Sequence, residues 1–188
     1  DQQFENIAKA GLTMPGLEIE IFDEHWNALP HDGDAVGELC IRGPWIASEY
    51  YNDPQPDKFH NGWLVTGDVA KIDADQYIII CDRSKDMIKS GGEWISSIEL
   101  EDIALSCAGV SEAAAIGVPD PKWGERPLVL LVANAEFLDT AHVTAEFEAQ
   151  AKAGRLNDWA IPRIEVVSEI PKTSVGKVDK KKLRSEYG

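Results

Sequence analysis

No stretch of the 188 residues approaches the roughly 18 consecutive apolar residues that a membrane-spanning helix needs. The opening segment, DQQFENIAKAG, has no apolar core of the kind a signal peptide carries, and it lacks a starting Met. The missing Met is read as a sign that further sequence lies upstream. Cysteine is scarce: Cys40, Cys81 and Cys107 are odd in number, and no two share a metal-like spacing. Cys40 and Cys81 lie in apolar runs and read as small buried residues, which fits a reducing, cytoplasmic setting. Positive charge is also short. A net charge of −15 disfavours nucleic acid as a partner, because a phosphate backbone calls for a basic face. The four histidines are scattered, and His31-Asp32-Gly33-Asp34 reads as a turn rather than a metal site.

What remains is an ordinary globular composition. Hydrophobic residues make up 44%, enough for a core, and the length suits one domain or one small domain plus part of another. The charge is uneven. From Pro171 to Gly188 there are six basic residues against two acidic ones, so a basic tail follows a strongly acidic body. Such a tail is either a solvated helix end or a surface that meets a small polyphosphate.

Residues 17–23, LEIEIFD, alternate as a half-exposed strand does. PHDGDAVG is a turn and ELCIRG a second strand, together a hairpin. VAKID and YIIICD form another hairpin around Ala74-Asp75. The first 82 residues therefore read as a small antiparallel β unit. After Asp82 the pattern changes. Ser96-Ser97-Ile98-Glu99 has the form of a capping box, and Leu100, Ile103, Ala104 and Cys107 follow at helical spacing. EAAAIGV and PLVLLVA read as strands, Val143, Phe147 and Ala151 as one helix face, and IPRIEVVSEI as a strand. Residues 83–188 are thus expected to form an α+β domain, joined through the charged, Gly- and Ser-rich segment DRSKDMIKSGGEWISS.

Two segments invite chemistry. PKTSVGKVDKKKLR contains a Gly-Lys pair, but Val178 follows the Lys and Lys172 stands where a phosphate loop needs its first Gly. What is left is a flexible polar loop carrying Lys177, either a solvated turn or a means of presenting an ammonium group to a developing phosphoryl charge. GWLVTGD reads as an extended loop ending on Asp68. A carboxylate there has two acceptor oxygens for the two hydroxyls of a ribose. Arg83, after the YIIICD strand, is a forked donor suited to related work.

Five segments, GELCIRGPWIASEYY, GWLVTGD, DRSKDMIKSGGEWISSIELED, VPDPKWGERP and PKTSVGKVDKKKLR, occur in the order and at the spacing of one family. The chain resembles the adenylate-forming enzymes, which include acyl-CoA ligases, luciferases and the adenylation domains of peptide synthetases. The resemblance runs from Gly16 to Leu183. KSGGEWISS is most similar to the corresponding run of bacterial medium- and long-chain fatty-acid ligases.

The resemblance implies the end of a large amino-terminal domain (1–82) and a carboxy-terminal lid domain (83–188), with a hinge near 82–86. In this family an acid attacks the α-phosphate of ATP to give an acyl-adenylate, and CoA then displaces AMP. The lid takes a different orientation for each half-reaction. By the same resemblance Asp68 holds the ribose hydroxyls, Arg83 also contacts the ribose, Lys85 is the hinge and Lys177 is the catalytic lysine of adenylation. Gly91 and Gly92 let a pantetheine arm pass the backbone. Trp94 stands where relatives carry a polar or basic residue; it either packs on the nucleotide or acyl chain or supports the hinge. The phosphate loop, the Tyr-Gly-x-Thr-Glu segment and the acyl pocket are absent from the sequence. The chain alone is therefore expected to be inactive, and the ligands of the Mg2+ that the family implies are expected to lie outside it. An exposed face of the β unit is expected to favour a homodimer. The alternatives are a ligase for aryl or other carboxylic acids, an adenylation domain serving a carrier protein, and a non-catalytic binding module.

Overall fold

The computed structural model describes residues 9–52, 55–134 and 138–188. The chain divides into two compact units, one ending at Lys85 and the other running Asp86–Gly188. Among the described residues no helix is long and apolar enough to cross a membrane.

The first unit is an antiparallel sheet of β1 (Glu18–Phe22), β2 (Gly37–Arg42), β3 (Phe59–His60), β4 (Trp63–Ile72) and β5 (Ile78–Arg83). β4 is its spine. β2 runs along one edge, and β3 followed by β5 runs along the other. The acidic turns owe their shape to their own side chains. Asp32 Oδ1 accepts the N–H groups of Asp34 and Ala35, and Asp73 Oδ1 accepts those of Asp75 and Tyr77. The His31 segment is therefore a turn, as its composition implies. Ile21, Leu39, Ala70, Ile72 and Ile78 form the core of this unit. Cys40, next to Leu39 on β2, is buried as well, but Cys81 is only half-buried. Alternation fails at Cys81 because Val69 faces Asp82 while Ala70 faces Ile80, which makes Cys81 the extra residue of a β-bulge.

The second unit is α+β. A short hairpin, β6 (Ile88–Ser90) and β7 (Glu93–Ile95), leads into helix α1 (Ser97–Leu105). Then follow β8 (Val110–Asp120), β9 (Gly124–Ala133), α2 (Thr140–Lys152), β10 (Arg163–Val167) and α3 (Lys180–Tyr187). β9 is central: it pairs antiparallel with β8 and with β6, and parallel with β10. The Ser96 cap is the one the sequence spells out, and Asp139 and Asp179 add two more. Ser96 accepts the Glu99 N–H, Asp139 those of Ala141 and His142, and Asp179 that of Lys182.

The near-continuous apolar runs of β8 and β9 reflect burial on both faces. Ala113, Ala115, Val129 and Leu131 pack with Leu100, Ala104, Val143 and Phe147 of α1 and α2. Ala114, Ile116, Leu128 and Leu130 pack on the other face with Ile170 and with Leu183 of α3. Leu183 is the buried residue of a mostly polar helix; with the partly buried Tyr187 it docks α3 on this face, and ionic and hydrogen-bonded contacts of Lys180 and Arg184 add to the hold.

Candidate functional site

Thr66-Gly67-Asp68 was expected to close a loop, but it lies inside β4. The segment is a distortion within the strand. From Cys40 to Glu38 the pairing on β4 jumps from Val65 to Val69, which leaves surplus residues on β4. A bulge of this kind re-aims a side chain without ending the strand. Gly67 takes a φ of +80°, open to glycine at little cost. Thr66 Oγ1 donates to Leu39 O at 2.7 Å and accepts the Asp68 N–H at 3.1 Å. Glu38 holds the other side: one oxygen accepts the Gly67 N–H at 3.2 Å and the other accepts the Ser84 hydroxyl at 2.5 Å.

Arg83 is the last residue of β5 rather than a residue beyond it, and it sits directly across from Asp68. Its Nε lies 3.0 Å from Asp68 Oδ1, with the carboxylate 28% and the guanidinium side chain 60% exposed. Among the described residues this contact occupies one carboxylate oxygen and leaves Oδ2 as an acceptor and the outer guanidinium nitrogens as donors.

Lys85 is exposed at the end of the first unit. Its neighbours are both fastened. Ser84 donates its N–H to Gly67 O at 3.0 Å and its hydroxyl to Glu38. Asp86 accepts from Arg184 of α3 at 2.8 Å. Lys85 is thus a single exposed residue between two hydrogen-bonded ones.

The segment after Lys85 is not only a joint. Gly91 and Gly92 form the two-residue loop of the β6–β7 hairpin, with the pair of positive φ values, +63° and +88°, that a type I′ turn needs. Across it Lys89 pairs with Trp94, and Lys89 Nζ lies 5.1 Å from the centre of the half-buried Trp94 ring. Both glycines are exposed. The hairpin is seated by VPDPKWGERP, to which the sequence assigned no separate role. Trp123 O accepts the Gly91 N–H at 2.8 Å, and Glu125 accepts the Lys89 N–H at 2.9 Å.

Lys177 is exposed on a closed loop before α3. Thr173 and Lys177 exchange bonds: the Thr173 N–H reaches Lys177 O at 2.7 Å, and the Lys177 N–H reaches Thr173 Oγ1 at 3.3 Å. Gly176, at φ +80°, makes the reversal possible. Lys172 bridges to Val178 and pairs with Glu112 at 2.7 Å, which ties the base of the loop to β8. The structure thus joins Asp68 to Arg83 in the first unit, and Gly91, Gly92 and Trp94 on one hairpin of the second. Lys177 stands on a loop of its own in the second unit.

Sequence reading missed Glu38, Ser84, Trp123 and Glu125. All four lie in quoted motifs, but an isolated Glu in a strand carries no signal of the backbone N–H it will meet.

Residues 99–177 match the AMP-binding enzyme C-terminal domain. The chain is 45% identical to the 3-methylmercaptopropionyl-CoA ligase of Ruegeria lacuscaerulensis, over 100% of its own length and 34% of the relative's. It is 39% identical to the medium-chain-fatty-acid–CoA ligase of Ectopseudomonas oleovorans, again over 100% of its length and 34% of the relative's. Among solved structures it is similar to o-succinylbenzoate CoA synthetase of Bacillus subtilis, crystallised with its acyl-adenylate intermediate. There the TM-score is 0.80 and the identity 29%, covering 97% of this chain and 36% of that one. The chain therefore spans about a third of the length of these relatives.

Proposed function

Because the chain belongs to the adenylate-forming superfamily and carries its AMP-binding C-terminal domain, we propose that it supplies the lid and the adjoining β unit of an acyl-CoA ligase. In this reading the whole enzyme joins a carboxylic acid to ATP, giving acyl-adenylate and pyrophosphate, and CoA then takes the acyl group and releases AMP. The observation that carries it is Asp68, aimed by a bulge and braced by Arg83 at 3.0 Å, in a chain that also presents Lys177 on a closed, exposed loop.

Each residue has a physical task. Asp68 accepts the ribose hydroxyls, and Arg83 both orients that carboxylate and offers donors of its own. Lys177 brings an ammonium group to the acyl carboxylate and α-phosphate, where negative charge gathers as the new P–O bond forms. Rotation at Lys85 then withdraws it and presents the Gly91-Gly92 turn, whose missing side chains let the pantetheine arm lie against backbone. Trp94, backed by Lys89, packs beside that path. In this reading the ligands of the Mg2+ that the family implies lie outside this chain.

A medium- or long-chain fatty acid is the proposed substrate, supported by KSGGEWISS and by the E. oleovorans relative. The 45% identity to a 3-methylmercaptopropionyl-CoA ligase favours a second reading, a short thioether acid. The test is AMP release from ATP and CoA with octanoate, palmitate and 3-methylmercaptopropionate. It compares the 188-residue chain, the full-length polypeptide and its Lys177→Ala variant. The expected result is a silent 188-residue chain, an active full-length protein and a fall of about 10²–10³-fold in adenylation on losing Lys177. Turnover by the 188 residues alone, or an unaffected variant, would refute the proposal.

A further inference from the structure

We infer that Glu101 and Lys180 form a clip that sets the position of the Lys177 loop, which makes both positioning residues for adenylation. The inference rests on the role proposed for Lys177.

α1 packs on one face of the sheet and α3 on the other. β8 lies between them and, among the described residues, pairs only with β9, so its outer edge has no strand partner there. Glu101 of α1 closes that edge: its Oε1 accepts the Ala115 N–H at 2.9 Å. The same oxygen meets Lys180 Nζ at 2.7 Å, and that ammonium also donates to Ser97 Oγ at 2.5 Å. Ser97 is fully buried, and the Lys180 and Glu101 side chains are only 12% and 18% exposed. One carboxylate oxygen thus ties α1, the edge of β8 and the first residue of α3 together across the rim of the sheet.

Lys180 lies three residues beyond Lys177. Between them Val178 bridges to Lys172, and the Asp179 N–H donates to Pro171 O at 2.8 Å, so there is little slack. Buried ion pairs differ here from surface ones. Lys172–Glu112 sits at 46% and 39% exposure and is a weak restraint, whereas the Glu101 clip is shielded and shared with backbone. Loss of the clip leaves α3 held by Leu183, Tyr187 and the Arg184–Asp86 pair, all on the far side of Lys180 from the loop. Position matters because a displacement of about 1 Å at a catalytic group can cost on the order of 10²-fold.

The test separates the half-reactions in the full-length polypeptide. Adenylation is read as pyrophosphate release from acid and ATP. Thioester formation is read from supplied acyl-adenylate and CoA. Lys180→Met is expected to lower adenylation by about 10- to 100-fold while thioester formation and the KM for the acid stay within about twofold. Lys180→Arg should restore most of it. Glu101→Gln, which keeps an acceptor for Ala115, should fall between the two and guards against a Lys180→Met protein that does not fold. Equal losses in both half-reactions, or full adenylation by Lys180→Met, overturn the clip. If Lys177→Ala is silent in adenylation while the Lys180 and Glu101 variants are normal, the clip alone fails. A Lys177→Ala protein that adenylates normally overturns the proposed role of Lys177 and the clip with it.

Discussion

Placing an alanine at Gly91 and, separately, at Gly92 distinguishes backbone strain from steric contact in the β6–β7 hairpin. Both glycines have positive φ, so both substitutions carry the left-handed penalty of about 1–2 kcal/mol for an L side chain. Alanine recovers about 0.4–1 kcal/mol by restricting the unfolded chain. The net is about 1 kcal/mol at either site. The surroundings then differ. A Cβ on Gly92 meets nothing within 4 Å, whereas one on Gly91 falls 2.9 Å from Trp123 Cε3 and 3.3 Å from Cζ3. Trp123 is a ring at 42% exposure, so it can swing away, at about 0.5–1.5 kcal/mol for leaving its rotamer. Gly92→Ala should therefore cost about 1 kcal/mol and Gly91→Ala about 2 kcal/mol. For a domain of this size those are Tm shifts of about 4–8 °C and about twice that. Urea unfolding of the two variants, alone and on a Trp123→Ala background, measures the difference. On that background the excess cost of Gly91→Ala should disappear. Equal costs in the native background, or an excess that survives removal of Trp123, would refute the reasoning. Under the proposed function Gly92→Ala should also slow thioester formation more than adenylation, because its methyl group projects from the exposed turn.

Two further outcomes follow from the first unit. Glu38→Ala leaves the Gly67 N–H and the Ser84 hydroxyl without their carboxylate, which should cost about 1–3 kcal/mol and weaken nucleotide retention through Asp68. Glu38→Gln should be milder, and thermal melting beside AMP binding by the full-length protein reads both effects. Thiol labelling should be ordered by burial. Burial first, then the nearby charges of Glu38 and Glu20, push the Cys40 thiol up to about 12, and burial also raises that of Cys107. Because the thiolate is the reactive form and only about one Cys40 in 10³ is ionised even at pH 9, Cys40 should label slowly at both pH 7 and pH 9. The half-buried Cys81 should react first, and peptide mapping after a short exposure to iodoacetamide would show the order.

The local signals were legible because they are local. Ser96 caps its helix from one residue away, Asp32 and Asp73 shape their own turns, and alternation marks β1. The apolar runs of β8 and β9 already imply a sheet covered on both faces. Asp68, Arg83 and Lys177 stood out weakly by their chemistry and became firm candidates through the order of five motifs. Chemistry alone made GWLVTGD a loop, because Thr-Gly-Asp is turn-like and the bulge that absorbs it exists only against β2. The residues that brace the site lie far from it in the chain. Ser84 meets Glu38 across 46 residues, Lys180 meets Ser97 across 83, and Arg184 meets Asp86 across 98. No periodicity spans such distances. By itself the sequence determined which side chains carry charge at the site and which backbone turns present them. Tertiary structure decided which charges meet, because an ion pair forms only where two strands or helices have already been packed side by side.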